Sequence, residues 1–153
     1  MFKRTILFLT AAVLLVAAAA VACGGQKLPD IQGWENGQIR TTELGAISGN
    51  KGTWYERSYR TIAGVPFRAI WVDGAAAKGW QPNEMSNNGG EIWGGETSTN
   101  VTVGGEKAVL EYRPVVGYSL VLVRGDGVLT LESQVATEKD LTDAAETLLK
   151  NMK

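Results

Sequence analysis

The chain has no histidine and a single cysteine among its 153 residues. Without histidine, the protein lacks the commonest general base and the usual nitrogen ligand of zinc, copper and haem. A Ser-His-Asp triad is therefore impossible. One cysteine cannot form a disulfide within the chain or supply a thiolate cluster for a metal. We therefore expect a protein that is not an enzyme and that has no cofactor, no metal site and no catalytic residue.

An excess of basic charge is also missing. Lys3 and Arg4 belong to a leader that contains no acid, and the rest of the chain has 13 basic against 16 acidic side chains, a net charge of −3. Nucleic acid requires a positively charged surface, so we expect no nucleic-acid partner. The composition also indicates no polybasic patch for lipid headgroups, and attachment to a membrane would then depend on acyl chains.

The only long apolar run lies at the start of the chain. It covers residues 6–22 after a short cationic start, and it ends with the small residues Ala20 and Ala22, followed by Cys23 and Gly24. This arrangement resembles the signal peptide of bacterial lipoproteins. The resemblance implies cleavage before Cys23, a diacylglycerol on its sulfur and usually a third acyl chain on its new amino group. The membrane would then be a partner through the lipid on Cys23.

Two alternatives remain for this segment. It could be an ordinary secretory signal cut near Ala22, or a transmembrane anchor, for which about 17 residues is the short limit. We expect a lipoprotein signal peptide over 1–22, a lipidated tether over 23–27 and a single domain over 28–153. Gly24, rather than an acid, after the cysteine resembles lipoproteins sent to the outer membrane. In a bacterium with one membrane, the domain would lie on the outer face of the cytoplasmic membrane.

Alternating residues and glycine-rich turns predict most of the domain to be strands. The chain has 19 glycines against 4 prolines, and the glycines separate short runs rich in β-branched and aromatic residues. The C-terminal segment instead has helical spacing after an N-cap at Thr137. The sequence therefore predicts an α+β fold, a twisted antiparallel sheet of about six strands with a C-terminal helix packed on one face. Seven segments are candidate strands for this sheet of about six: 38–44, 53–62, 67–72, 99–103, 107–113, 117–123 and 128–135.

The last part of the chain, from Val101 to Met152, resembles two kinds of small bacterial α+β envelope domain. The motifs are Val101-Thr-Val-Gly-Gly105, the hairpin from Gly117 to Leu131 and the closing helix. They resemble domains of the PsbP/Mog1-like type and, equally, the C-terminal domains of some anti-sigma regulators. The first resemblance implies an assembly or binding partner rather than a catalytic activity.

Candidate binding residues come from the five tryptophans. On predicted strands, Trp54 and Trp71 are expected in the core. Trp80 and Trp93 lie in the irregular, Gly- and Asn-rich stretch 73–96, where exposed aromatic side chains are common binding positions. We therefore predict that Trp80 and Trp93 bind a ligand. The charged residues on strands are expected to form cross-strand ion pairs on a solvated face; they are Glu56, Arg57, Arg60, Arg68, Glu111 and Arg113.

These observations predict a lipid-anchored, non-enzymatic envelope protein that binds or helps to assemble an envelope protein or glycan. One rival is a hydrolase that acts on cell-envelope glycan with carboxylates alone, for which Glu84, Glu91 and Glu96 are the candidates. Another rival is an envelope sensor or regulatory domain. The identity of the ligand and the oligomeric state do not follow from the sequence.

Overall fold

The computed structural model describes residues 27–45, 51–78, 90–91 and 95–153. These residues form a mostly antiparallel sheet and one C-terminal α-helix. A short 3-10 helix follows the fourth strand. The elements are β1 (Glu35–Asn36), β2 (Arg40–Leu44), β3 (Gly52–Arg60), β4 (Pro66–Val72), the 3-10 helix (Gly74–Ala76), β5 (Gly90–Glu91), β6 (Thr97–Val103), β7 (Glu106–Arg113), β8 (Gly117–Arg124), β9 (Gly127–Ser133) and α1 (Glu138–Asn151).

The sheet has more strands than the predicted six. Eight follow one another in the hydrogen-bonded order β1-β3-β4-β9-β8-β7-β6-β5, and β2 also pairs with β3. The antiparallel sheet and the C-terminal helix are confirmed, whereas the predicted strand number is wrong. β1 and β5 have two residues each, too short to show any alternation in the sequence. Both lie at the ends of the strand order, so the prediction missed the outermost strands.

Glycine turns join the long hairpins where the sequence indicated them. Gly104 and Gly105 connect β6 to β7 with φ of 59° and 87°, which only glycine adopts without strain. Gly125 begins the turn between β8 and β9 with φ of 61°. Because these turns are tight, β6 lies beside β7 and β8 lies beside β9; β7 also pairs with β8, and the apolar residues of β7, β8 and β9 align on one face.

Helix α1 packs on that face. Leu141, Ala144, Ala145, Leu148 and Leu149 are its buried residues, at helical spacing. They join a core cluster with residues of the sheet, of which Val103, Leu120, Leu122, Leu129 and Leu131 have no exposed surface. Burial of such side chains contributes about 1.5–3 kcal/mol each, so this layer is the main source of stability.

The segment 28–34 covers β3 and β4 on the helix side of the sheet. Leu28 and Ile31 are buried, and the ring of Trp34 packs edge-on against Tyr59 and Phe67, with centroids 5.8 and 5.4 Å away. The sheet is thus covered by α1 over one half and by 28–34 over the other. No helix among the residues described has the length and apolar character that a membrane crossing requires.

Arg57 departs from the expectation of a solvated ion pair. It is only 6% exposed and lies between Tyr55 and Tyr59 on the covered side of β3. Its Nε donates to the carbonyl of Gly37 at 2.7 Å, and its Nη1 donates to the carbonyl of Leu28 at 2.8 Å. Nη2 pairs with the Asp30 carboxylate. The guanidinium therefore joins 28–34 to the sheet, and its partners lie 20 to 29 residues away in sequence.

Candidate binding surface

The residues predicted to carry function fall mostly outside the described part of the chain. Cys23, Trp80, Trp93 and Glu84 belong to segments that the structure does not describe, so the lipidation and the tryptophan pair stay predictions. Glu91 is placed as a residue of β5, without its side chain. Of the three acids proposed for a hydrolase, Glu96 is thus the one whose surroundings can be examined.

Glu96 lines a small crevice. The space has a volume of about 40 Å³, room for only a few water molecules. Glu111 shares it, and the Glu111 carboxylate lies 3.4 Å from Nη2 of Arg113. The two acids are therefore in one place, but in a space too small for a sugar ring. Among the described residues, no group of three acidic, histidine or cysteine side chains is arranged to hold a metal.

A larger depression, which we call the strand-end groove, lies where β3, β4 and β9 meet. Its volume is about 610 Å³, within the range of ligand sites. The register explains its walls, since Ser58 pairs with Arg68 and Arg68 pairs with Glu132 across three adjacent strands. The residues that line the groove include Glu35, Arg60, Pro66, Arg68, Glu132 and Val135.

Two arginines give the groove its electrostatic character, and each already has a carboxylate partner. Nε of Arg60 lies 3.3 Å from the Glu35 carboxylate. Arg68 pairs with Glu132, and its Nη1 is 4.0 Å from Glu56. The hydrogen bond from Arg68 to Glu132 raises the pKa of the guanidinium above its usual value. These pairs confirm the expected cross-strand ion pairs for Glu56, Arg60 and Arg68. Being half-exposed, they could exchange partners with a charged ligand at little cost.

The floor of the groove is held by hydrogen bonds between strand ends. The buried hydroxyl of Ser133 donates to the carbonyl of Pro66 at 2.7 Å. It also accepts from the N–H of Ala136 at 3.0 Å, which fixes the connection between β9 and α1. Beneath, Tyr59 and Phe67 stack with ring centroids 5.3 Å apart. A rigid floor of this kind allows binding with little loss of conformational entropy.

Exposed aliphatic side chains gather at the same end of the sheet. Four large hydrophobic residues are exposed in the described part of the chain: Ile62 (79%), Val115 (91%), Val116 (49%) and Val135 (69%). All four lie in the β3–β4 turn, the β7–β8 turn or the β9–α1 connection. Because β4, β9, β8 and β7 are successive neighbours about 4.8 Å apart, these loops lie within about 14 Å of one another.

We call this region the loop end: residues 61–65, 114–116 and 134–136 together with the strand-end groove. Exposed apolar side chains beside pairable charges are typical of surfaces that bind proteins. No sequence pattern predicted the loop end, because its residues come from segments far apart in the chain. A visible indication was Val115-Val116 in a turn, where polar residues and glycine are the rule.

Comparison with known proteins adds no family to these observations. No protein-family model, no curated protein and no solved structure matches the chain.

Proposed function

We propose that the protein is a lipid-anchored envelope protein whose folded domain binds another protein and catalyses no reaction. The observation that carries the proposal is the loop end, where four exposed aliphatic side chains adjoin the strand-end groove. The sequence supports the anchor, since Cys23 follows an apolar run and precedes the described residues by only four positions. The missing histidine and the single cysteine support a binding role over catalysis.

A protein partner fits the loop end better than a glycan does. Ile62, Val115, Val116 and Val135 would be desolvated only by an apolar surface. Glycan binding commonly uses aromatic faces, and all four exposed side chains here are aliphatic. Arg60 and Arg68 would form the polar rim by exchanging Glu35 and Glu132 for carboxylates of the partner.

The anchor is tested by mass spectrometry of the mature protein. We expect the first residue to be Cys23 with acyl chains attached, and Cys23→Ala to leave the protein unprocessed by the lipoprotein pathway. An unmodified N-terminus at or near Cys23 would contradict the anchor and leave an ordinary secretory signal. The result is independent of the loop end, so the two parts of the proposal can fail separately.

Binding at the loop end is tested by photo-crosslinking in intact cells. A photoreactive amino acid replaces Ile62 or Val135. A third variant carries it at Thr102, an exposed position near the β6–β7 turn, at the end of the sheet opposite the loop end. We expect positions 62 and 135 to capture the same protein, identified by mass spectrometry, and position 102 not to capture it. Val135→Asp should then weaken binding of that protein at least tenfold, because a charge is desolvated in the interface.

The contrary result is equally clear. Capture of one protein from all three positions with equal yield, or of nothing at positions 62 and 135, would overturn the binding role of the loop end. The side chains at 62 and 135 are mostly exposed, so their replacement does not threaten the fold.

A further inference from the structure

Charge is distributed unevenly along the strands. At the end opposite the loop end, five basic side chains surround the β6–β7 turn, the β8–β9 turn and the end of α1: Lys27, Lys107, Arg124, Lys150 and Lys153. The acidic side chains at this end are Glu106, Asp126, Asp73, which directly follows β4 beside the β8–β9 turn, and Glu43, which lies there together with a further base, Lys51. We call this region the tether end. Its excess of positive charge is hidden in the composition, which is acidic as a whole.

The acids lie mainly at the opposite end. Glu35 and Glu132 border the strand-end groove, and Glu96 and Glu111 share the crevice beside it. The first helical turn adds Glu138 and Asp140. Because Arg60, Arg68, Arg113 and Lys139 lie at the loop end too, its excess of acid is small, and the polarity of the domain rests mainly on the basic tether end.

The contacts of the Lys27 side chain show that this residue lies at the tether end. Nζ of Lys27 lies 5.5 Å from the centre of the Trp71 ring. The Trp71 ring packs directly over Gly127, the first residue after the β8–β9 turn, and a Cβ at position 127 would overlap the ring. Arg124 in turn donates to the carbonyl of Leu149 at 2.6 Å, which joins the turn to the last turn of α1. The chain therefore enters the described domain among the basic residues.

The tether is too short to move the domain far from its lipid. Cys23 precedes Lys27 by four residues, and a fully extended chain spans at most about 14 Å over that length. Screening at physiological salt acts over about 8 Å. A lipid on Cys23 would hold the tether end within or close to the electrostatic range of the headgroups.

We infer that the tether end is a membrane-facing surface that binds anionic phospholipid headgroups and so directs the loop end away from the bilayer. The inference rests on the proposed lipidation of Cys23. Helix polarity accounts for Lys150 and Arg124 without a membrane, since cations favour helix C-termini. It accounts for Arg124 because that side chain donates to the carbonyl of Leu149, but not for Lys27, which lies over the Trp71 ring, or for Lys107 on β7. Basic residues beside an anchor strengthen its attachment to anionic lipid.

The test measures lysine reactivity on the whole lipidated protein. The protein is reconstituted into vesicles of phosphatidylcholine alone, or of phosphatidylcholine with one-third phosphatidylglycerol, and treated with a neutral acetylating reagent. Mass spectrometry gives the rate at each lysine. Lys107 and Lys150 report on the tether end, and Lys139, exposed in the first turn of α1, reports on the opposite end.

We expect Lys107 and Lys150 to react at least threefold more slowly on the anionic vesicles, with Lys139 unchanged. The protection should vanish in 1 M salt, where the screening length falls to about 3 Å. A double variant, Lys107→Glu with Lys150→Glu, should lose the protection at Lys153, whereas Lys139→Glu should keep it. These residues are exposed, so neither variant threatens the fold.

Equal rates on both vesicles, or equal protection of Lys139, would overturn the inference while leaving the anchor intact. Failure of the anchor itself gives a different result. In that case the protein does not float with vesicles of phosphatidylcholine alone, which offer no net negative charge and hold the protein only through its acyl chains.

Discussion

The Tyr59 side chain is enclosed by three other side chains. Phe67 stacks on its ring, Trp34 meets it edge-on, and the Arg57 guanidinium lies 5.3 Å from the ring centre. Its hydroxyl donates to the carbonyl of Pro29 at 2.8 Å. Burial raises the pKa of Tyr59 to about 12, even though the nearby Arg57 opposes the change.

This shift predicts a loss of stability at alkaline pH. The folded state binds the phenol proton more tightly than the unfolded chain, whose tyrosine pKa is about 10. The contribution of Tyr59 is therefore complete below pH 10 and is lost as the pH rises from about 10 to about 12, on the order of 2 kcal/mol in total. Urea unfolding at several pH values should show the decline beginning above pH 10.

Tyr59→Phe is the matched control, because it keeps the stacked ring and removes the titrating hydroxyl. The variant should be less stable by about 1 kcal/mol at neutral pH, since Pro29 loses its hydrogen bond. Above pH 10 the difference between the two proteins should shrink or reverse. Parallel pH curves for wild type and variant would rule out the burial of this phenol as the cause.

Arg57 and Trp54 show where residue patterns mislead. Alternation places Arg57 on the same face of β3 as Tyr55 and Tyr59, but it does not reveal that residues 28–34 cover that face. Its charge predicted a side chain exposed to water. The partners that allow its burial, Asp30 and Gly37, lie at least 20 residues away in sequence and form no local pattern. Trp54 was expected in the core, yet it is half-buried on the other face, while Trp71 is buried as expected.

At the scale of elements, α1 was the easiest to predict because its signals are local. Thr137 caps the helix: its hydroxyl oxygen accepts from the N–H of Asp140 at 3.2 Å, and the Asp140 carboxylate accepts from the N–H of Thr137 at 2.9 Å. The Thr137 hydroxyl also donates to the Asp140 carboxylate at 2.7 Å, and this bond, followed by that from the Thr137 N–H, lowers the pKa of Asp140. The hairpins could also be predicted from local signals, because glycine turns mark them in the sequence. The outer strands β1 and β5 depend on tertiary contacts instead, and no local pattern indicated them.

The capping box predicts a specific cost for a small change. Thr137→Ala removes the cap and leaves a helix N–H without its partner, so we expect a loss of about 1 kcal/mol and a fall of about 3–5 °C in Tm. Thr147→Ala is the matched control. That hydroxyl donates to the carbonyl of Asp143 within the helix, and alanine has the higher helix propensity.

Thermal unfolding followed by circular dichroism measures both variants. Thr147→Ala should unfold at or slightly above the wild-type temperature. If both threonine variants lost the same stability, the cap would have no special role and the loss would reflect threonine removal in general.

For the whole molecule, the candidate surface was the least predictable feature. The loop end combines three loops that are separated in turn by 48 and 17 residues of intervening chain, and only the strand order brings them together. The tether end likewise depends on the placement of Lys27 beside the β8–β9 turn. The α+β class could be predicted because the hairpins and the helix follow from contiguous residues, whereas the lipidation of Cys23 stays a prediction.

The architecture makes segment 28–34 a structural part of the domain and not a linker. A chain that begins at Lys27 should fold cooperatively, because it keeps every contact of this segment. A chain that begins at Gly33 loses the buried Leu28 and Ile31, and Arg57 loses both the Asp30 carboxylate and the Leu28 carbonyl. Loss of two buried aliphatic side chains costs about 2–5 kcal/mol each, which together approaches the stability of a typical domain.

We therefore expect the shorter chain to be largely unfolded at 25 °C by circular dichroism, with the longer chain native. Point variants separate packing from chain length: Leu28→Ala should lose about 2–5 kcal/mol in urea unfolding, whereas Gln32→Ala, on an exposed side chain, should lose almost nothing. Equal midpoints for the two truncated chains would mean that 28–34 only rests on the sheet. In that event the tether would begin nearer Glu35, and the lipid could lie farther from the basic residues than a four-residue tether permits.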